Sequence, residues 1–344
     1  MPPLDVSNIA RSLQRFVATH YGATAQAANL APMALGHAGL TYGFDVIDNG
    51  ATKASFVLRL APPGVRRHGN TDVYRQAPLL RALQAHGQPV PKVPWASPDE
   101  DWFDTPFIMM ERLPGLPCLI WDPDPQFPRT DAAIGELWRH SARALADLHE
   151  FDWQLHLADW EKPRPLSEEV LRWDGVLAKA QEPDWLAAGQ RVRELVLAQM
   201  PEGVPIGLIH GDYQPGNVLF DGDRLTGIVD WELSSIGAQL LDIGWMMMMS
   251  DRRSWHTDFS PLHSPDPEVL REVYQTHRGK RFPDIDWYWA FAGYRFGTIC
   301  CLNVRLHRTG KRPDALWEKF ALAVPSLFGR AEQILTARRQ ASST

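Results

Sequence analysis

Three side chains in the stretch 208–231 have the types and spacing to handle a polyphosphate: Asp212, Asn217 and Asp230. Two apolar runs, Val218-Leu219-Phe220 and 225–229, flank the turn sequence Asp221-Gly222-Asp223-Arg224. They predict a β-hairpin. Asn217 immediately precedes the first strand and Asp230 immediately follows the second, so an antiparallel hairpin brings both to its open end. An amide oxygen and a carboxylate are hard ligands suited to Mg²⁺. Asp212 stands five residues before Asn217, in a loop shaped by Gly211, Pro215 and Gly216, and can face the same metal-bound group. A carboxylate beside a metal-bound polyphosphate is the minimal apparatus of phosphoryl transfer. The metal neutralises phosphate charge and the Asp orients a nucleophilic hydroxyl.

The elements that must position these groups begin with a glycine-punctuated segment, Gly36, Gly39 and Gly43. It leads into an antiparallel hairpin with strands 42–47 and 55–60, joined by Asp48-Asn49-Gly50, whose residues tolerate positive φ. Arg59 lies near the end of the second strand. A helix is expected at 73–86, closed by Gly87, and a short strand at 107–110. Pro114-Gly115 and Pro117 then break the chain. This predicts a lobe at 1–108, a hinge at 109–116 and a larger lobe at 117–344. The second lobe is mostly helical. One helix follows Thr130 as N-cap, with Ile134, Leu137, Trp138, Ser141, Leu145 and Leu148 on one stripe. Further helices are expected at 168–180, 187–199, 268–278 and 287–307, and Met246 to Met249 as a buried helix face. The fold class is α+β, a small antiparallel-sheet lobe and a large, mainly helical lobe, with the 218–229 hairpin at the cleft.

Composition narrows the partners. The chain has 344 residues and a net charge of −6, which disfavours nucleic acid. Cys118, Cys300 and Cys301 have neither a disulfide framework nor metal-ligand spacing. They suit a reducing cytoplasm, and the start of the chain shows no secretory signal. The longest apolar stretch, 287–306, is interrupted by Arg295 and Arg305, so no membrane span is expected.

The pattern His-x-Asp-x-x-x-x-Asn, followed by a hairpin and an Asp, matches the catalytic loop and metal-binding Asp of protein kinases. Here it reads His210-Gly211-Asp212, with Ile228-Val229-Asp230-Trp231-Glu232 downstream, and resembles the aminoglycoside phosphotransferase and choline kinase superfamily. Ser234-Ser235-Ile236-Gly237 and Leu241-Asp242-Ile243-Gly244 resemble the branch that includes kinase-like domains fused to acyl-CoA dehydrogenases. So do Val57-Leu58-Arg59, Pro106 to Glu111 and Leu145 to His149. The resemblance implies a bilobal protein-kinase-like fold that uses ATP and Mg²⁺. It implies nucleotide contacts from Gly36, Gly39, Thr41, Arg59, Gln76, Met110, Glu111 and Leu113, metal ligation by Asn217 and Asp230, and catalysis by Asp212. His210 and Asp242 are then scaffold, Asp242 bracing the loop from a neighbouring helix, and His149 is a helix-end packing residue. Arg59 stands where kinases place a phosphate-touching Lys, and can grip phosphate oxygens with two donors. One position departs from the family: the helix Glu that pairs with the basic residue is here Gln76, with Asp72 one turn earlier as a substitute.

The expected acceptor is a small-molecule hydroxyl. From Asp251 onward the chain carries a charge of +5, against −11 for the remainder. That disfavours polycationic aminoglycosides and favours a hydroxyacyl or other acidic metabolite. Tyr294-Arg295 resembles the aromatic-Arg pair of the long helix in this branch, which implies that both lie on the acceptor side, and Glu232 is a candidate pocket residue there. The alternatives are a choline-type kinase using cation–π contacts, a pseudokinase favoured by Gln76, and a metal-dependent hydrolase. The sequence leaves the oligomeric state open.

Overall fold

The computed structural model describes residues 6–33, 40–62 and 64–341. Gly36 and Gly39 lie outside them. The elements run α1 (Val6–Tyr21), β1 (Gln26–Pro32), β2 (Leu40–Asp48), β3 (Ala51–Leu60), α2 (Gln76–Ala85), β4 (Trp95–Ser97) and β5 (Phe107–Glu111). Then come β6 (Leu116–Pro117), α3 (Asp131–Leu148), α4 (Trp153–His156), α5 (Leu166–Leu171), α6 (Asp174–Leu177) and α7 (Pro183–Ala198). β7 (Ile206–Ile209), β8 (Val218–Asp221), β9 (Arg224–Ile228), β10 (Ser235–Ala238), α8 (Leu240–Ser250), α9 (Pro267–His277), α10 (Ile285–Arg308) and α11 (Leu316–Ala341) complete the chain. Two compact units result. The first holds residues up to Pro114 with Gln154–Trp160 and Thr226–Leu233; the second holds Gly115–Trp153, Glu161–Leu225 and Ser234 onward.

In the first unit, five strands form one antiparallel sheet in the order β1-β2-β3-β5-β4. The β2–β3 turn takes φ values of 51° at Asn49 and 76° at Gly50, the left-handed pair a tight hairpin turn demands. Ile9, Leu13, Phe16 and Val17 of α1 pack on Phe44, Val46, Phe56, Leu58 and Leu60. Each such burial stabilises by about 1.5–3 kcal/mol. Side chains alternate along a strand, so Arg59 lies on the opposite face of β3 from Leu58 and Leu60.

The second unit is mainly helical. Thr130 Oγ1 accepts from Ala133 N–H at 3.2 Å and starts α3. The helix expected at 168–180 is two pieces, because the chain tightens at Trp173, whose N–H donates to Val170 O three residues back. All of α8 is buried, the four methionines included. It packs on α10 at Gly244, where an added Cβ would lie 2.5 Å from the Tyr288 backbone. β7 pairs with β10, and β6, β8 and β9 form a second small sheet. No helix among the described residues is long and apolar enough to cross a membrane.

Candidate active site

In the second unit, β7 runs into His210-Gly211-Asp212, and a single helical turn, Pro215–Asn217, leads to β8. Gly211 has φ of 90°, a conformation that strains any residue with a Cβ. The peptide N–H groups of His210 and Gly211 donate to the two carboxylate oxygens of Asp242, at 2.7 and 2.8 Å. The Gly211 carbonyl accepts from Arg295 Nη2 at 2.8 Å. The peptide between Gly211 and its neighbours is thus clamped from both sides, by α8 and by α10.

That clamp delivers Asp212. Its Oδ2 accepts from Asn217 Nδ2 at 3.0 Å, and its main-chain O from the same nitrogen at 2.8 Å. Its Oδ1 accepts from the Trp245 indole N–H at 2.7 Å. With its amide nitrogen committed to Asp212, the other polar atom of the Asn217 side chain is its carbonyl oxygen, a hard donor of the kind a cation takes. His210 is fully buried, its Nδ1 accepting from Asp212 N–H at 3.3 Å and its ring edge-on to Tyr213. His149, buried at the end of α3, bonds Tyr274 Oη at 2.7 Å and Asp242 Oδ2 at 3.4 Å.

Burial lowers the pKa of His149, and the Asp242 carboxylate only partly offsets this. The neutral form is therefore favoured by the fold. The unfolded chain takes up the proton first as pH falls below about 6.5, so this contribution is complete above that pH and is lost below it. His149→Gln should flatten the dependence of melting temperature on pH between 7 and 5. A single group can contribute a slope of at most about 1.4 kcal/mol per pH unit.

In the first unit, the Arg59 guanidinium is buried and paired with two carboxylates. Nη1 donates to Asp230 Oδ1 at 3.2 Å, and Nη2 donates to Glu232. Arg59 Nε is a buried donor with no acceptor. Asp230 has φ of 62°, a left-handed conformation that Asp tolerates better than most residues and that clusters at functional sites. Gln76 is buried but makes no hydrogen bond to Arg59, and its Nε2 has no partner. The Asp72 carboxylate accepts from Arg75 N–H at 3.3 Å, and the carboxylates paired with Arg59 are those of Asp230 and Glu232. Glu232, expected on the acceptor side, is the residue that pairs with Arg59. Thr41 lies opposite Arg59 in the β2–β3 register. Met110 and Glu111 end β5, and Leu113 packs so closely on Gly227 that a Cβ there would lie 2.2 Å from Leu113 Cδ1.

Of the two α10 residues expected on the acceptor side, Tyr294 is core. It is fully buried beside Phe291 and Phe328. Arg295, one position on, faces elsewhere. Its guanidinium lies 4.5 Å from the Trp245 ring centroid and 5.4 Å from that of Trp173. Its Nε has no acceptor, and among the described residues no carboxylate pairs with it. Burial, and then the positive charges of Arg295 and Arg164 against the opposing pull of Glu169, lower Arg172 to about 10. Trp245 has no place in the sequence reading. The available signal is its spacing three residues after Asp242, which puts both on one face of α8.

A five-stranded antiparallel sheet followed by a largely helical region, with this loop and hairpin, is a protein-kinase-like fold. Residues 40–281 match the phosphotransferase enzyme family, APH, and the chain belongs to that family. A probable acyl-CoA dehydrogenase of Arabidopsis thaliana is 30% identical over 279 residues, 74% of this chain and 33% of that protein. The chain spans about a third of the length of such relatives. A homoserine kinase of Rhizobium etli is 35% identical over 97 residues, 27% of this chain and 29% of its own. Among solved structures, a candidate aminoglycoside phosphotransferase from Ralstonia eutropha matches with a TM-score of 0.73 at 21% identity, covering 98% of both chains. Aminoglycoside phosphotransferase APH(4)-Ia, solved with ADP and hygromycin B, matches with a TM-score of 0.58 at 14% identity over 94% of this chain and 98% of that one.

Proposed function

We propose that the protein transfers the γ-phosphate of ATP to the hydroxyl of a small acidic acceptor, with a hydroxyacyl group as first choice. The observation that carries this reading is the clamped loop, which fixes the Asp212 carboxylate between Asn217 and Trp245. Asp212 orients the acceptor hydroxyl and takes its proton. Asn217 and Asp230 hold Mg²⁺, which would neutralise the phosphate charge. Arg59 takes a phosphate oxygen, and its unaccepted Nε supports that role. The pseudokinase reading rests on Gln76. The pairing of Arg59 with Glu232 weakens it, because a carboxylate for Arg59 is present without the helix Glu.

Arg295 supports an acidic acceptor. A buried guanidinium with an unaccepted Nε and, among the described residues, no carboxylate partner suits an anionic group, whereas polycationic acceptors need carboxylate walls. The reading is tested with γ-labelled ATP against pools of hydroxylated metabolites enriched in hydroxy acids and their thioesters. Mg²⁺-dependent label transfer to an anionic acceptor is expected. Nucleotide binding with neither transfer nor Mg²⁺-dependent hydrolysis would establish the pseudokinase instead.

A further inference from the structure

The Asp212 carboxylate accepts from Asn217 of its own loop and from Trp245 of α8. The second is unusual in its support. Trp245 is only 4% exposed, and Arg295 lies over its ring at 4.5 Å while donating to Gly211 O. A cation over the indole face draws electron density toward itself and so favours donation from the indole N–H to a carboxylate. Asp242 sits one helical turn before Trp245 and holds the two peptide groups that precede Asp212. One face of α8 thus fixes both the backbone that carries Asp212 and the rotamer of its carboxylate. At the crossing beside it, Gly244 allows α10 to approach closely enough to bring Arg295 over the indole.

From this geometry we infer that Trp245 is a positioning residue for phosphoryl transfer: its indole N–H sets the direction in which the Asp212 carboxylate faces the acceptor. The inference rests on the reading that Asp212 faces the acceptor. Trp245 touches neither donor nor acceptor in this scheme, so its contribution belongs to turnover and not to nucleotide affinity.

Trp245→Phe keeps an aromatic ring beneath Arg295 and removes the N–H together with part of the indole's volume, which is why nucleotide affinity is read beside turnover. With Mg·ATP and water standing in for the acceptor, turnover should fall on the order of 10-fold, the loss expected for one hydrogen bond to a charged group. The KM for ATP should stay within about twofold. A variant that were simply loosened would move both. A second measurement needs no turnover. In protein labelled with ¹⁵N at the indoles, the cross-peak missing from Trp245→Phe identifies Trp245. That peak should lie downfield in the native protein and move upfield in Asp212→Asn. A Trp245 peak unmoved by Asp212→Asn, or native turnover in Trp245→Phe, overturns the inference. Native turnover in Asp212→Asn overturns instead the reading on which it rests.

Discussion

Asp212→Ala is expected to leave ATP affinity nearly intact while turnover falls on the order of 10²–10⁴-fold, the span of a positioned general base. The expectation follows from a division of labour. In the proposed assignment Arg59, Asn217 and Asp230 hold the donor, and Asp212 meets the acceptor. A largely dissociative transition state removes little proton early, so aim can outweigh basicity. Asp212→Asn separates the two. It keeps the side-chain shape and one acceptor oxygen, but loses the charge that both Asn217 and Trp245 now address. Both variants are to be measured with saturating acceptor while ATP is titrated separately. If Asp212→Ala lost ATP binding yet turned over at the native rate once saturated, Asp212 would be a donor-side ligand.

Asp230→Asn should be the more severe change for the nucleotide. It removes a charge that the proposed cation needs, so Mg·ATP binding should weaken and turnover should fall below detection. The substitution is clean at the backbone, because Asn shares with Asp the tolerance for the left-handed conformation found at φ of 62°. It also leaves Arg59 its second carboxylate, Glu232. Calorimetric titration of ATP at several Mg²⁺ concentrations is the measurement. An unchanged Mg²⁺ dependence in the variant would contradict the assignment.

The parts of this molecule legible in the sequence are those specified by neighbours along the chain. Asn49-Gly50 dictates a hairpin turn, and Thr130 caps the helix beginning at Asp131, because each acts within a few residues. The loop from His210 to Asn217 was readable for the same reason. α1 carries a helical stripe of the same legible kind, Ile9, Leu13, Phe16 and Val17. α11 is harder to infer from local pattern: Pro325 stands inside it, and a proline ordinarily argues for a break. What local pattern does not carry is the choice of partner. Arg59 and Glu232 are 173 residues apart, and nothing in their spacing selects Glu232 over Gln76. Likewise Tyr294 and Arg295 are adjacent in sequence, yet one is core and the other lies over Trp245, since successive helical residues point about 100° apart.

The close approach of Gly244 to Tyr288 limits laboratory evolution of acceptor preference. Any side chain at 244 pushes α8 off α10 and carries Asp242 and Trp245 with it, so a library randomised along α8 would consist mostly of members that have lost the loop they were meant to retune. Diversity is better introduced after Asp251, in the connection to α9, where side chains such as Arg252 and Asp258 are exposed. Substitutions at those exposed positions leave the packing of α8 on α10, and with it the support of Asp212, in place.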